Sequence, residues 1–231
     1  MKKLLFATLL SFGLSHFAMA ANDLDSIGRS IKFLDYASPV LLSLYTTSCI
    51  RTSDPAAIAV LCVPITGADN EQFDVPNITE INVAAGSRSL IDLQIHTSVT
   101  YALRNATAAR KTNTVSLLIA VTIESDALND PGLINPRTGL PFGGKLENKY
   151  LLMSDMRTLE PGATNVLSVR PDFATSAGLL TRKDLMQTYG LNSTVARQVM
   201  SRALKVRLGV SGSGTGLTAV ATTIGGRLIS D

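Results

Sequence analysis

Two cysteines are the residues of this chain best placed to form a covalent bond. Cys49 ends an apolar run that begins at Val40, and Cys62 lies in a second apolar run, Ile58–Ile65. The segment Arg51–Pro55 between them is typical of a turn, so two strands joined there would bring the sulfurs together across a hairpin. A redox pair or metal ligands are the alternatives, but the chain has no CxxC. We therefore predict a structural Cys49–Cys62 disulfide.

Catalysis by histidine would depend on His96, because the other histidine, His16, lies in the N-terminal leader described below. His96 falls on the polar side of an alternating segment, where a solvated histidine is the simpler interpretation. The chain shows no GxSxG, HExxH, P-loop or SxxK pattern. Paired carboxylates stay open as an acid–base alternative, although spacing singles out no pair. We expect no enzyme, no cofactor and no metal site.

The longest segment without an apolar pattern, residues 126–149, is rich in Pro and Gly. Long loops of this kind are often functional, so its polar side chains form a candidate binding loop. These side chains are Asp126, Asn129, Asp130, Asn135 and Arg137. Calcium binding by the loop's oxygens is the alternative, but the spacing matches no EF-hand. Solvated turn residues are the default.

The N-terminus has the pattern of a secretory signal peptide. Lys2 and Lys3 precede an apolar run from Leu4 to about Leu14, and Ala18-Met19-Ala20 provides an A-x-A cleavage site. The run is shorter than the roughly 20 residues of a membrane span. A buried helix, or an anchor if cleavage fails, is the alternative. We predict cleavage after residue 20 and a periplasmic or extracellular protein without a transmembrane segment.

Charge and composition exclude one class of partner. The formal net charge is +3, and removal of Lys2 and Lys3 lowers it to +1. A near-neutral chain argues against a nucleic-acid surface, which needs clustered Lys and Arg. Hydrophobic residues make up 45% but charged residues only 17%, which suits buried sheets and also surfaces hidden against other copies of the chain.

Two neighbouring segments alternate with period two. In Leu90–Leu103 the odd positions are apolar except for Thr97, and the even positions include Asp92, Gln94 and His96. In Thr114–Glu124 a second such pattern has an apolar face and a mixed face. This periodicity is typical of strands with one buried face. The polar segment Arg104–Asn113 between them favours a long antiparallel hairpin in the middle of one sheet.

Residues 181–202 change to helical signals. Thr181 with Asp184 forms a capping-box pattern, Gly190 would end the first helix, and Asn192 would cap a second. The arrangement is similar to a DNA-binding helix-turn-helix, with several basic side chains nearby. The signal peptide and the lack of a three-helix core argue against that alternative, so we expect no nucleic-acid partner.

The remaining segments are less distinctive. Residues 22–36 have apolar residues at helical spacing, which predicts a short amphipathic helix or a free arm, and residues 66–77 are expected to be a loop. Residues 78–85, 150–156, 165–169 and 203–210 are predicted strands. Gly212–Gly216 is expected to be a flexible link, after which residues 217–230 return as an edge strand.

These features predict an all-β protein, an antiparallel β-sandwich with a short helical insertion near residues 181–202. Residues 21–231 are expected to form one domain, with 150–231 as a candidate sub-lobe. We expect a non-catalytic structural or interaction protein, a subunit of a fimbria-like fibre or an adhesive coat that self-associates or binds another envelope protein. The alternative is a monomeric periplasmic binding or accessory module for an envelope partner or glycan.

Overall fold

The computed structural model describes residues 33–49, 58–88, 90–169 and 175–230. The strands in these residues are β1 (Phe33–Tyr45), β2 (Ala59–Pro64), β3 (Glu71–Val83), β4 (Leu90–Arg104), β5 (Lys111–Glu124), β6 (Lys145–Leu159), β7 (Thr164–Val169), β8 (Thr175–Thr181), β9 (Leu204–Thr215) and β10 (Leu217–Ser230). Sheet A has the order β2–β1–β10–β4–β7, with β8 also paired to β4, and sheet B has the order β3–β9–β5–β6. The two sheets pack face to face, so the predicted all-β sandwich is confirmed.

β4 and β5 lie in opposite sheets and do not form the predicted hairpin. β4 pairs with β10, β7 and β8, whereas β5 pairs with β9 and β6. The alternation itself is confirmed, because Leu93 on β4 and Leu117 on β5 point into one shared core and are fully buried. Alternation with period two identifies the buried face of a strand. It does not show whether two such strands are neighbours in one sheet or face each other across the core from two sheets.

The link from β4 to β5 is held by one buried amide. The Asn105 side chain, which is fully buried, donates to the carbonyl oxygens of Ala109 and Leu159 at 2.8 and 2.9 Å. Its own oxygen accepts the Thr107 N–H at 2.9 Å. A satisfied buried amide therefore fixes the point at which the chain leaves sheet A for sheet B.

The predicted Cys49–Cys62 disulfide is confirmed, with 5.7 Å between the two Cα atoms. The strands nearest to the two cysteines do not form a hairpin, however, because β1 and β2 are parallel. Parallel neighbours need a crossover of about a dozen residues, and the link between Tyr45 and Ala59 is long enough to provide one. Residues 50–57, which include the whole predicted turn, lie outside the described residues.

The C-terminal strand is central rather than the predicted edge strand. β10 lies between β1 and β4, and its apolar face is buried, with Val220, Ile224 and Leu228 fully excluded from solvent. The glycine-rich segment before it is not a flexible link, because β9 continues to Thr215. Gly212 is required within β9, since a Cβ there would lie 2.6 Å from the Phe73 ring.

Two further predictions near the start of the chain are wrong where the structure tests them. Residues 33–36, predicted as the end of a helix, belong to β1, and β3 begins at Glu71 inside the predicted 66–77 loop. Pairing with a neighbouring strand overrides weak local propensity at both places. The remaining residues of the predicted helix, 22–32, and the predicted signal peptide lie outside the described residues.

The helical insertion is confirmed. It contains α1 (Arg182–Gln187) and α2 (Ser193–Ser201). Thr181 and Asp184 form the capping box, and the Asn192 side chain accepts the N–H groups of Thr194 and Val195 at 3.0 Å. Gly190 has a φ of +65°, a conformation that glycine adopts without strain. No helix in the described residues is long and apolar enough to cross a membrane.

Candidate functional site

The predicted binding loop is divided by the structure, and only Asp126 and Asn129 line a groove. The groove lies at one end of sheet B, where β3 and β5 end and β6 and β9 begin, and has a volume of about 690 Å³. Asp126 opens a single 3₁₀ turn, Asp126–Leu128, which the Ser125 side chain caps. The Asn129 side chain lies against Gly144, where a side chain would clash with it. Backbone turns thus hold both polar groups at the groove.

The groove carries both signs of charge. Glu124 and Asp126 line it together with Lys145 and Lys205. Glu124 is paired with Arg207 at 3.0 Å, and Lys205 lies 3.6 Å from a Glu80 oxygen. Partly paired, mixed charges do not favour a strongly anionic or a strongly cationic ligand.

The other predicted loop residues serve the loop itself. The Asp130 carboxylate accepts the Gly132 N–H at 2.8 Å, and the Asn135 side chain accepts the Arg137 N–H at 2.9 Å. Both are local side-chain-to-backbone turns of the kind that Asp and Asn favour. Asp130, Asn135 and Arg137 do not line the groove.

Arg137 attaches the loop to the helical insertion. Its guanidinium lies 4.9 Å from the centre of the Tyr189 ring and donates to the Asn148 side chain at 3.0 Å. The Tyr189 hydroxyl donates to the same Asn148 oxygen at 2.9 Å, and the Phe142 ring lies 6.4 Å from the Tyr189 ring. This cluster makes the loop a packed part of the domain. Sequence reasoning missed it because its members are distant in the chain.

A second polar cluster connects the two sheets. Tyr101 on β4 is 1% exposed, and its hydroxyl donates to the Asp155 carboxylate on β6. Arg157 donates to the same carboxylate oxygen at 2.8 Å. A tyrosine in an otherwise apolar row needs a partner for its hydroxyl, and that was the signal in the sequence.

The cluster shifts the pKa values of its members. Burial, and then the hydrogen bond to Asp155, raise the pKa of Tyr101 to about 12. The hydrogen bond from Tyr101 is the largest cause of the lowered pKa of Asp155, and the bond from Arg157 adds to it. At neutral pH the arrangement is a neutral phenol held against a carboxylate, which stabilises the packing of the two sheets.

The outer face of sheet A is a broad surface without charged residues at its centre. Strand register places its outward side chains in adjacent rows across β1, β10, β4 and β7. We call these residues the neutral face: Leu41, Tyr45, Ala219, Ala221, Thr223, Ser98, Thr100, Ala102, Val166 and Ser168. Ser43 lies on the same side of β1 but is fully buried. Val166 is 63% exposed, and the hydroxyls of Thr100 and Ser168 lie 2.9 Å apart. None of these side chains is Asp, Glu, Lys or Arg.

His96 lies just beyond the neutral face. It is exposed on the outer side of β4, opposite Gly225 of β10, as its position on the polar side of the strand predicted. In the described part of the chain, no group of three or more His, Cys, Asp and Glu is arranged to hold a metal ion.

No family model matches the chain, and no curated protein matches it. Among solved structures, the chain is similar to the structure of the infectious bursal disease virus Gx strain, with 9% identity, a TM-score of 0.23, and coverage of 78% of this chain and 35% of that chain. The T=1 particles derived from infectious bursal virus match with 12% identity, a TM-score of 0.16, and coverage of 78% and 43%. The chain thus spans less than half the length of these matched chains. Similarity this low does not inform the function of the chain.

Proposed function

We propose that this chain is an exported, non-catalytic interaction protein that assembles with copies of itself at the cell surface, as a subunit of a fimbria-like fibre or an adhesive coat. The observation that carries the proposal is the neutral face. Its central rows, Tyr45–Ala219–Ala102 and Ala221–Thr100, contain no Asp, Glu, Lys or Arg. Solvated sheet faces usually carry charged and polar residues, which deter association.

Export is supported by the residues of the chain itself. The basic start, short apolar run and A-x-A site form a signal-peptide pattern. The Cys49–Cys62 disulfide suits an oxidising compartment, such as the periplasm or the cell surface, and not the cytosol. An extracellular subunit that works by contact needs no catalytic groups.

The test is a charge placed at the centre of the neutral face. Ala221→Lys is expected to reduce self-association of residues 21–231, because burying an unpaired ammonium against a neutral partner is costly. Gln72→Lys is the matched control, since Gln72 is exposed on the outer face of sheet B. Light scattering at several concentrations measures the mass. Equal association of both variants and the wild type would contradict the proposal.

A monomeric binding module for an envelope partner or glycan is the second candidate. The groove at the end of sheet B favours it, because Asp126 and Asn129 meet there on ordered turns. If this candidate is correct, Asp126→Ala weakens partner binding and leaves the mass of the protein unchanged. Asp130→Ala, which changes a turn outside the groove, is the matched control.

A further inference from the structure

β6 is a long strand at the edge of sheet B. It has 15 residues and pairs only with β5 among the described strands. Such an edge presents a row of backbone donors and acceptors to any strand that lies beside it. Natural edge strands are usually short, charged, interrupted or covered, which keeps other strands from pairing with them.

Three other edge strands, β2, β7 and β3, are short or interrupted. β2 and β7 have six residues each, and the disulfide ties β2 to the segment after β1. β3 contains Pro76 and a register shift, and its Thr79 hydroxyl donates to the Ser38 carbonyl of sheet A at 3.1 Å. A proline and a neighbouring strand both deter pairing. β6 is longer than each of these strands and contains no proline or glycine, and its own protective features are charged side chains toward its two ends and one register shift.

Within β6, residues 149–154 lie between two positions at which the edge is occupied. On one side, Asn148 is held by Arg137 and Tyr189. On the other, the Asp155 carboxylate accepts the Met156 N–H at 2.8 Å and so occupies a backbone donor. Between these positions the sequence is Lys-Tyr-Leu-Leu-Met-Ser, and the Leu151 side chain is 64% exposed. We call residues 149–154 the open edge.

A bulge in the open edge makes it complementary to itself. Leu117 pairs with Met153 and Leu118 with Leu151, so Leu152 is the extra residue. The outward side chains are therefore odd-numbered before the bulge and even-numbered after it. A second copy can lie antiparallel to this edge, with the twofold axis between Leu151 and Leu152. Lys149 then lies opposite Ser154 of the other copy, and both side chains are on the outer face of the joined sheet.

We propose that the occupant of the open edge is the same edge of a second copy, and this deepens the self-association on which it rests. The pairing joins two sheets B into one continuous sheet through a twofold contact. Charge supports this register, because Lys149 is the only charged residue of the open edge and it faces the neutral Ser154 of the other copy. No like charges face each other along the strand.

The test uses Ser154, which is exposed and faces outward. Ser154→Lys places a lysine opposite Lys149 twice in the dimer, and we expect it to weaken dimerisation about tenfold. Ser154→Glu places a glutamate there instead and should keep or strengthen the dimer. The exchange Lys149→Ser with Ser154→Lys removes the repulsion and should restore the wild-type dissociation constant, measured by sedimentation equilibrium on residues 21–231.

The possible results separate this inference from the broader proposal. A wild-type protein that stays monomeric at every concentration overturns both. A wild-type protein that self-associates while Ser154→Lys and Ser154→Glu behave alike overturns the open-edge contact and leaves self-association in place. Opposite effects of Lys and Glu, with recovery in the exchanged variant, support the contact. Unchanged melting temperatures show that each variant is folded.

Discussion

At the scale of single residues, the Tyr101–Asp155 hydrogen bond is the clearest connection between the sheets. We expect Tyr101→Phe to lower the free energy of unfolding by about 1.5–3 kcal/mol, the usual range for a hydrogen bond to a charged group. Tyr45→Phe is the control, because Tyr45 lies on the neutral face and is only partly buried. Urea unfolding of both variants measures the difference. Equal losses would show that the bond contributes nothing specific.

The same hydrogen bond should make the stability of the folded protein fall at high pH. The pKa of Tyr101 is raised from 10.0 to about 12, so the folded state holds this proton more tightly than the unfolded state. The hydrogen bond therefore contributes its full share to the free energy of unfolding below pH 10, and this contribution is lost as the pH rises toward 12. The difference in stability between wild type and Tyr101→Phe should therefore be constant from pH 7 to 9 and narrow above pH 10. A difference that grows above pH 10 would contradict this account.

Side-chain contacts could be predicted from the sequence only where the two residues lie close together in the chain. The Thr181–Asp184 capping box and the Asn192 cap were readable, because each involves neighbours within three residues. The Tyr101–Asp155 pair was not, since 54 residues separate its members and only the fold brings them together. For the same reason, the sequence predicted Asp126 and Asn129 as binding residues but could not show that Asp130, Asn135 and Arg137 lie outside the groove.

At the scale of elements, the long loop is attached through Arg137. Arg137→Ala removes both the contact with the Tyr189 ring and the hydrogen bond to Asn148. We expect faster amide hydrogen exchange in residues 130–143, with little change in the rest of sheet B. Arg110→Ala is the control, because Arg110 forms an exposed ion pair with Glu160 that does not touch this loop. Equal exchange in both variants would mean that Arg137 does not hold the loop.

Most strands were predictable, but their partners were not. The alternation of apolar and polar residues identified β4, β5 and β9 correctly, because the apolar face of a strand is a local property of the sequence. Pairing depends on contacts between distant strands, and so the predicted β4–β5 and β1–β2 hairpins are both wrong. β10 was misplaced at an edge because its Gly, Ala and Thr residues give weak strand signals, although its buried face lies at the centre of sheet A.

At the scale of the whole molecule, the disulfide restricts the unfolded chain. Cys49 and Cys62 are 13 residues apart. In the chain-entropy model, a loop of this size stabilises the folded state by about 3 kcal/mol. The double variant Cys49→Ser, Cys62→Ser should lose roughly this free energy of unfolding, and a reductant should lower the stability of the wild type alone. A reductant that affects both proteins equally would contradict the assignment.

The two proposed contact surfaces lie on different sheets. In the proposed assembly, the open edge of β6 would pair two copies around a twofold axis, and the neutral face of sheet A would make the second contact. A chain of alternating contacts through these two surfaces would produce a linear polymer. Blocking either surface should therefore leave small, closed oligomers.

The most direct test of self-assembly is the mass of residues 21–231, measured by size exclusion with light scattering over a wide concentration range and compared with Ala221→Lys. The account predicts that the wild-type mass rises well above that of one chain, and that negative-stain images show regular oligomers or fibres. It predicts smaller species for Ala221→Lys. A wild-type protein that remains a compact monomer at every concentration would contradict the account.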